Sequence, residues 1–507
     1  MPDTGLSEYY LGIDIGTSSV KAVLLDDGDR IAGVETEEYG VSSPRPGWSE
    51  QDPEDWWGGA KQALSRLFAN SGIHPGRTRC IGVSGQMVGL VVLDTDKKVL
   101  RPCILWNDQR SAAEARSISE KVGVPFLLQH TGNLAFASFL APKLLWLRNN
   151  EPRVYQRIAH VLLPKDYIVF KLTGEISTEV SDASGTCLFD VQKRSWSDPM
   201  IEAFEVDPEW LPFCRESDEI VGTIQPEAAE QTRLPRTAAV VAGAGDQPAQ
   251  ALGSGITAPG LCSVSIGTSG VVFAQGGSYK IHPRGILHMF CHSIPDQWYL
   301  MGVMLSAGGS FQWLKNMLGG LKPVTYEDLG RMAQASSEGS RGLLFLPYLS
   351  GERCPYDNPE ASGGWLGLKS HHTIEDIVRS VLEGISFGLK DCLELIVNTG
   401  FSVDRIYASG GAVKSQFWLQ LLADVFGKEL VTTSLSEGAA LGAAMLGAVG
   451  SGKYSDLQDA SAALITISDS YIPRPEYVKR YEDVYTLFGR QYDRLKDSFT
   501  EIAGLQG

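Results

Sequence analysis

The sequence predicts an α/β protein made of two similar lobes that face each other across a cleft. Three observations lead there. The segment Ile15-Gly16-Thr17-Ser18, followed by one residue and Val20, returns half a chain later as Ile266-Gly267-Thr268-Ser269 before Val271. Each copy lies between two runs of strand-forming residues, so an internal duplication explains the match better than chance does. The remaining chain alternates strand-like and helix-like segments, and its 507 residues are enough for more than one large core.

The elements follow in order. Tyr9 to Ile15 reads as a strand, residues 16–19 as a turn of small hydroxyl-bearing residues, and Val20 to Asp26 as the returning strand. Cys80 to Gly85 and Gly89 to Asp94 have strand character. Ala141 to Asn149 and Tyr155 to Leu172 contain helical stretches. The second hairpin runs from Ser263 through Gly267-Thr268-Ser269-Gly270 to Ala274. Ile374, Ile377, Val378, Val381, Leu382, Ile385, Leu389 and Leu393 recur at helical spacing. Arg405 to Ser409 reads as a strand entering Gly410-Gly411, and Ser415 to Phe426 as a helix. Apolar and aromatic residues from Glu476 to Ile502 predict one amphipathic terminal helix. The glycine-rich run Gly253-Ser254-Gly255 marks the expected boundary, with lobes at 1–255 and 256–507.

Composition narrows the function. Lys and Arg number 44 against 60 Asp and Glu, a formal charge of −16. That balance disfavours a broad nucleic-acid or anionic-membrane surface, while leaving room for a small basic pocket. No window approaches the roughly 20 apolar residues of a membrane helix, and no secretory signal opens the chain. The eight cysteines are scattered, without a C-x-x-C pair, as expected of free thiols in the cytoplasm.

Several places carry candidate chemistry. Turns of Gly, Thr and Ser expose N–H groups and hydroxyls to phosphate oxygens, and Asp14, two residues before the first turn, suits Mg²⁺ held through water. The chain lacks the P-loop pattern. Val240 to Gly245 is a strand ending in small residues that delivers Asp246. That acid either accepts a proton from a substrate hydroxyl or caps the helix that follows. Gly410-Gly411 either admits a flat ligand or makes a tight turn. Gly384-Ile385-Ser386-Phe387-Gly388 matches a hydrolase pattern but lies in a helical run, so it is read as core. His288 and His292 lie in strand-like sequence and are not read as a metal pair. Trp48, Trp56 and Trp57 are read as packing.

Taken together, these segments resemble the FGGY carbohydrate kinases, which share the actin-like (ribonuclease H-like) fold, and within them the xylulokinases. The resemblance is carried by Gly12 to Ser19, Gly47 to Pro53, Gly82 to Met87, Leu105 to Arg110, Ser181 to Thr186, Gly243 to Asp246, Gly351-Glu352-Arg353 and Ala408 to Ala412. It implies transfer of a phosphoryl group from ATP, with Mg²⁺, to a small ketose or polyol. By analogy Asp246 is the general base and Asp14 positions Mg²⁺. Thr17, Ser18, Ser19 and Lys21 serve the nucleotide phosphates from the first lobe, and Gly267 and Thr268 from the second. Gly308, Gln312, Gly410, Gly411 and Ser415 line the nucleotide. Met87, Val88, Trp106, Asp108, Asp246 and Gln247 form the sugar pocket. A homodimer is compatible with the resemblance.

Two departures bear on the substrate. Xylulokinases typically read Gly-Gln-Met-His-Gly where this chain has Gly85-Gln86-Met87-Val88-Gly89, and they follow the acid with Asn where this chain has Gln247. Val88 removes a ring able to hydrogen-bond a sugar hydroxyl. The expected substrate is therefore either a sugar less polar at one end, such as 1-deoxy-D-xylulose, or D-xylulose itself if a nearby polar group compensates. Ribulose, glycerol-like polyols and a non-catalytic ATP- or sugar-binding role on the same fold remain alternatives.

Overall fold

The repeated turns sit where two sheets of the same plan present their strand ends. A computed structural model describes residues 7–320, 323–435 and 437–505. In the first half, β1 (Tyr9–Ile15) pairs antiparallel with β2 (Ser19–Asp26), and β2 with β3 (Ile31–Glu38). β4 (Thr78–Gly85) lies parallel to β1, ending with Ile15 opposite Gly85. With β5 (Ile220–Thr223), β6 (Ala239–Val241) and β7 (Ala244–Gly245) they form a seven-stranded sheet ordered β5-β6-β4-β1-β2-β3, with β7 also beside β4.

The second half repeats the plan. β8 (Gly260–Ile266), β9 (Gly270–Gly276), β10 (His288–Cys291), β11 (Trp298–Met304), β12 (Val403–Gly410), β13 (Glu429–Thr433) and β14 (Ile467–Tyr471) form a seven-stranded sheet ordered β10-β11-β9-β8-β12-β13-β14. β8 is antiparallel to β9 and parallel to β12, as β1 is to β2 and β4. Ile266 lies opposite Gly410 as Ile15 lies opposite Gly85.

Helices cover the sheets for reasons visible in their sequences. α1 (Pro53–Ser71) starts at Asp52, whose side chain accepts the Glu54 N–H, and ends at Gly72 in the left-handed region. It buries Trp56, Trp57, Leu64 and Leu67. Further helices are α2 (Asp246–Gly253), α3 (Gly308–Gly319), α4 (Ile374–Asn398), α5 (Gln416–Phe426) and α6 (Gly438–Gly450). α4 encloses Ser386, whose hydroxyl bonds the Leu382 carbonyl, so the hydrolase-like pattern is core. The terminal segment departs from expectation. It is two helices, α7 (Pro475–Gly489) and α8 (Gln491–Ala503), which meet at Gly489-Arg490 rather than running on as one. Glycine weakens the helix there.

α6 decides how the halves meet. It follows β13 of the second sheet, yet it packs on β1 and β4 of the first and on α2. Its sequence, Gly438-Ala-Ala-Leu-Gly442-Ala-Ala-Met-Leu-Gly447-Ala-Val-Gly450, is apolar all round, as a helix buried on every side requires. The approach is backbone to backbone. A Cβ on Gly12 would stand 1.9 Å from the Ala440 carbonyl oxygen, and one on Gly82 1.9 Å from that of Ala443. One on Gly253 would stand 2.0 Å from the Gly438 oxygen. A core cluster containing Ala249, Leu252, Leu441, Ala444 and Met445 fills the junction.

Gly82→Ala is therefore expected to cost at least about 3 kcal/mol in denaturant unfolding, because the added methyl meets a fixed carbonyl rather than a movable side chain. Gly58→Ala, in α1 with open space around its Cβ, should instead stabilise by about 0.5–1 kcal/mol. Equal effects of the two changes would refute the contact.

Candidate active site

Adjacent strand ends deliver the site. β4 ends at Gly85 between two parallel neighbours, with Ile15 of β1 on one side and Gly245 of β7 on the other. Three segments therefore leave the sheet side by side: the first turn from Gly16, the loop Gln86-Met87-Val88, and Asp246 at the start of α2. Crevices beyond carboxyl strand ends are where α/β sheets place ligands. In the second half, the Ile266–Gly410 pair sets the second turn beside Gly410-Gly411 in the same way.

Each turn is closed by its leading glycine, onto the third residue after it in the first turn and onto the second in the other. Gly16 N–H donates to the Ser19 carbonyl (2.9 Å), and Gly267 N–H to that of Ser269 (3.0 Å). The first is braced by side chains. Trp106 Nε1 donates to Thr17 Oγ1 (3.0 Å), Thr17 Oγ1 to Gln86 Oε1 (3.2 Å), and Gln51 Nε2 to the Thr17 carbonyl (2.7 Å). The second is locked onto α3. Gly308 N–H donates to the Gly267 carbonyl and Gly309 N–H to the Thr268 carbonyl, both 2.9 Å. A Cβ at Gly308 would lie 2.3 Å from the Gly267 oxygen, so glycine is required for this contact. Gly267, Thr268, Gln312, Gly410 and Gly411 are exposed, and Ser415 caps α5 by accepting the Trp418 N–H (3.3 Å).

Two carboxyls stand at these strand ends of the first half. Asp14, near the end of β1, accepts a hydrogen bond from Ser84 Oγ (2.8 Å), and lies across the ladder from Lys21. Burial raises its pKa, opposed by Ser84 and Lys21. Lys21 also pairs with Glu437 (3.1 Å), just before α6. Asp246 is the first residue of α2, with Gly245 as N-cap, so it is not the helix cap. Burial first, and the Asp14 charge second, push Asp246 up to about 7. A carboxyl titrating near neutrality suits proton transfer at that pH. Gly245 has no room for a side chain: a Cβ would lie 2.7 Å from Met87 Cγ. Met87 thus packs over the residue that positions Asp246.

A cleft of about 1090 Å³ gathers the predicted sugar-pocket residues other than Asp108, together with Thr17, whereas the predicted nucleotide residues of the second half and Asp14 do not line it. Thr17, Met87, Val88, Trp106, Asp246 and Gln247 line it from the first half, and Ser269 from the second turn. Val88 holds φ of +59°, a strained value for a β-branched residue. Its backbone is clamped: Asp182 Oδ1 accepts its N–H (3.0 Å), and Lys143 Nζ donates to its carbonyl (2.8 Å). Lys143 is fully buried, and burial pulls its pKa down to about 7. The Val88 side chain stands against Gly185, near Phe290.

Asp108 is placed differently from its sequence expectation. It does not line the cleft. It is buried, pairs with the Arg110 guanidinium (2.9 and 2.7 Å) and accepts the Ser49 N–H (2.5 Å). Arg110 in turn lies 3.7 Å over the Trp48 ring. Trp48 and Asp108 therefore hold the loop that presents Trp106. Sequence reasoning missed Lys143 and Asp182, although a lone lysine in the apolar run Leu140 to Leu147 was a signal. It also assigned no role to His288, Glu352, Arg353, Phe136 and Phe139, which line the cleft from elsewhere in the chain. His288 lies in β10, and the described residues contain no cluster of three or more His, Cys, Asp or Glu fit for a metal. All eight cysteines are free. A second cavity of about 860 Å³, between Trp57, Lys97 and Lys171, contains none of the predicted residues.

The comparisons with known proteins agree with this geometry. Residues 9–253 match the N-terminal domain, and residues 262–451 the C-terminal domain, of the FGGY family of carbohydrate kinases. The xylulose kinase of Escherichia coli (strain K12) is 39% identical over 487 residues, covering 96% of this chain and 99% of that protein. The xylulose kinase of Bacillus subtilis (strain 168) is 36% identical, covering 98% and 99%. The crystal structure of a kinase from Brucella ovis, described as a xyloylose kinase, superposes with a TM-score of 0.92 at 36% identity, covering 97% of this chain and all of that one. The duplicated, actin-like two-lobe architecture is that of these sugar kinases. The chain belongs to the FGGY family of carbohydrate kinases, phosphotransferases with an alcohol group as acceptor.

Proposed function

We propose that this kinase transfers the γ-phosphoryl group of ATP to a primary hydroxyl of a ketopentose, D-xylulose in the first place. The observation that carries the reading is Asp246, whose carboxyl is pushed up to about 7 at the cleft lined also by Thr17, Ser269 and Met87-Val88. The shared name of the relatives supports the sugar. Asp246 takes the proton as the hydroxyl oxygen bonds to the γ-phosphorus and the bridging bond to ADP breaks. The two turns hold the phosphates from opposite lobes, residues 1–255 and 256–507, and Gly308, Gln312, Gly410, Gly411 and Ser415 border the nucleotide. Phosphoryl transfer of this kind depends on positioning and charge neutralisation more than on covalent help. Mg²⁺ fits beside Asp14, because such ions keep several waters and take one or two carboxylates plus phosphate. It would supply charge neutralisation at the phosphates. Burial raises both carboxyls, and the Asp14 charge adds to the elevation of Asp246, which fits a site that receives a cation. No described helix is long and apolar enough to cross a membrane, and the free buried thiols fit a cytoplasmic enzyme.

A specific observation favours a second acceptor. The Val88 side chain and its neighbour Phe290 give the pocket an apolar wall, which suits a carbon lacking its hydroxyl, as in 1-deoxy-D-xylulose.

Three outcomes test the reading. Asp246→Asn should lower kcat/KM for D-xylulose by about 10²–10⁴ while leaving thermal stability intact. Sugar-stimulated ADP release that survives this change would remove Asp246 from the chemistry. Because the base must be ionised and its folded pKa lies above the ordinary carboxylate range, kcat/KM should rise about tenfold per pH unit below 7 and level off above it. A profile flat from pH 5 to 8 would contradict this. With wild type, 1-deoxy-D-xylulose should be used within about tenfold of D-xylulose in kcat/KM. A preference for D-xylulose beyond about a hundredfold would sink the deoxy-sugar reading.

A further inference from the structure

Three polar side chains on the cleft wall have buried atoms with nothing to bind. Glu352 spends Oε1 on the backbone N–H groups of Leu305 (3.1 Å) and Arg353 (2.8 Å), while its Oε2 is buried without a partner. Arg353 lays its guanidinium 4.4 Å above the Phe136 ring, and its Nη2 is buried with no hydrogen-bond acceptor or ion pair among the described residues. His288 is wedged against Phe136 and Phe139, with Nδ1 buried and unpaired. All three line the cleft that holds Asp246 and Val88. Buried polar groups are nearly always satisfied, and an unmatched guanidinium is among the costliest to leave bare. Polar atoms orphaned together at a cleft mark where a ligand completes the hydrogen bonding.

The chemistry of that ligand follows from the donors. Burial pushes the Glu352 carboxyl up to about 8, so at neutral pH it carries its proton and donates. Arg353 only donates. Arg353 Nη2 and Glu352 Oε2 therefore stand as donors without an acceptor, although Asp357 also lines this cleft and acts on Arg353 without bonding that nitrogen. A carbonyl oxygen, which accepts twice in its plane and brings no proton of its own, fits this better than a hydroxyl, whose proton faces donors.

We propose that Arg353, with Glu352 beside it, binds the ketone oxygen of the acceptor sugar at the end remote from the reacting hydroxyl, and so makes the enzyme select ketoses over the corresponding alditols. This rests on the ketopentose kinase reading above. It gives the second lobe a share in the sugar pocket, and it supplies a polar contact on a pocket where Val88 supplies none.

The test compares a ketone with its reduced form. With Mg·ATP, the KM of D-xylulose and the inhibition constant of xylitol are measured for wild type, Arg353→Gln, Arg353→Lys and Glu352→Gln. Arg353→Gln should raise the KM of D-xylulose about ten- to a hundredfold, the loss of one charge-assisted hydrogen bond, and leave xylitol inhibition and the KM of ATP unchanged. Arg353→Lys should fall in the same direction, since it keeps the charge and stem but loses the fork, and it decides the matter if the Gln variant does not fold. Glu352→Gln, a neutral donor of the same shape, should retain the ketose preference. Arg353 variants with an unchanged KM for D-xylulose, or with equal losses for D-xylulose and xylitol, would overturn the proposal while the kinase reading stands. A wild-type enzyme with no D-xylulose-stimulated ADP release would overturn both.

Discussion

The architecture depends on one close contact, the seating of α6 on the first sheet. Carbonyl oxygens of Ala440 and Ala443 occupy the space that side chains at Gly12 and Gly82 would need. Because those glycines lie in β1 and β4, the strands that lead to the first turn and to Gln86-Met87-Val88 are gripped by a helix from the second half of the chain. α2, which begins with the catalytic candidate Asp246, lies against the same helix through Ala249 and Gly253. One helix of small residues thus ties together the first turn, the loop Gln86-Met87-Val88 and Asp246. Lys21 and Glu437 add an ion pair at its entrance.

The electrostatics follow from that arrangement. Asp14, near the end of β1, and Asp246, just after β7, flank the end of β4, and each is withdrawn from bulk water by burial. Like charges so placed disfavour joint ionisation. The consequence is that Asp246 is pushed up to about 7, well above the ordinary carboxylate range. The remainder of the cleft mixes apolar and aromatic walls, among them Phe136, Phe139 and Phe290, with polar groups from both halves.

Much of this was legible in the sequence. The paired Gly-Thr-Ser turns announced the duplication because a tight tip of small residues repeats as sequence, whereas the sheets around it repeat only as pattern. Asp246 was legible as an acid delivered at a strand end, although the strand alone left proton transfer and helix capping equally open. Other features were hidden because they depend on contacts between distant segments. The seating of α6 on the opposite sheet cannot be read from its own composition, which says only that the helix is buried. Asp108 looked like a pocket residue, but Arg110, two residues on, claims its carboxylate. The terminal periodicity continues across Gly489-Arg490 although the helix does not. Arg353 was visible as part of a motif, yet its isolation above Phe136 appears only once residues more than two hundred apart are brought together.

The measurement that tests the central claim most directly is the proton-coupled phosphorus NMR spectrum of the product formed from D-xylulose and Mg·ATP. The account predicts ADP together with one phosphomonoester signal split into a triplet by the two protons of a terminal CH₂ group, as transfer to a primary hydroxyl requires. Inorganic phosphate as the sole new species, or a doublet from an ester on a secondary carbon, would contradict it.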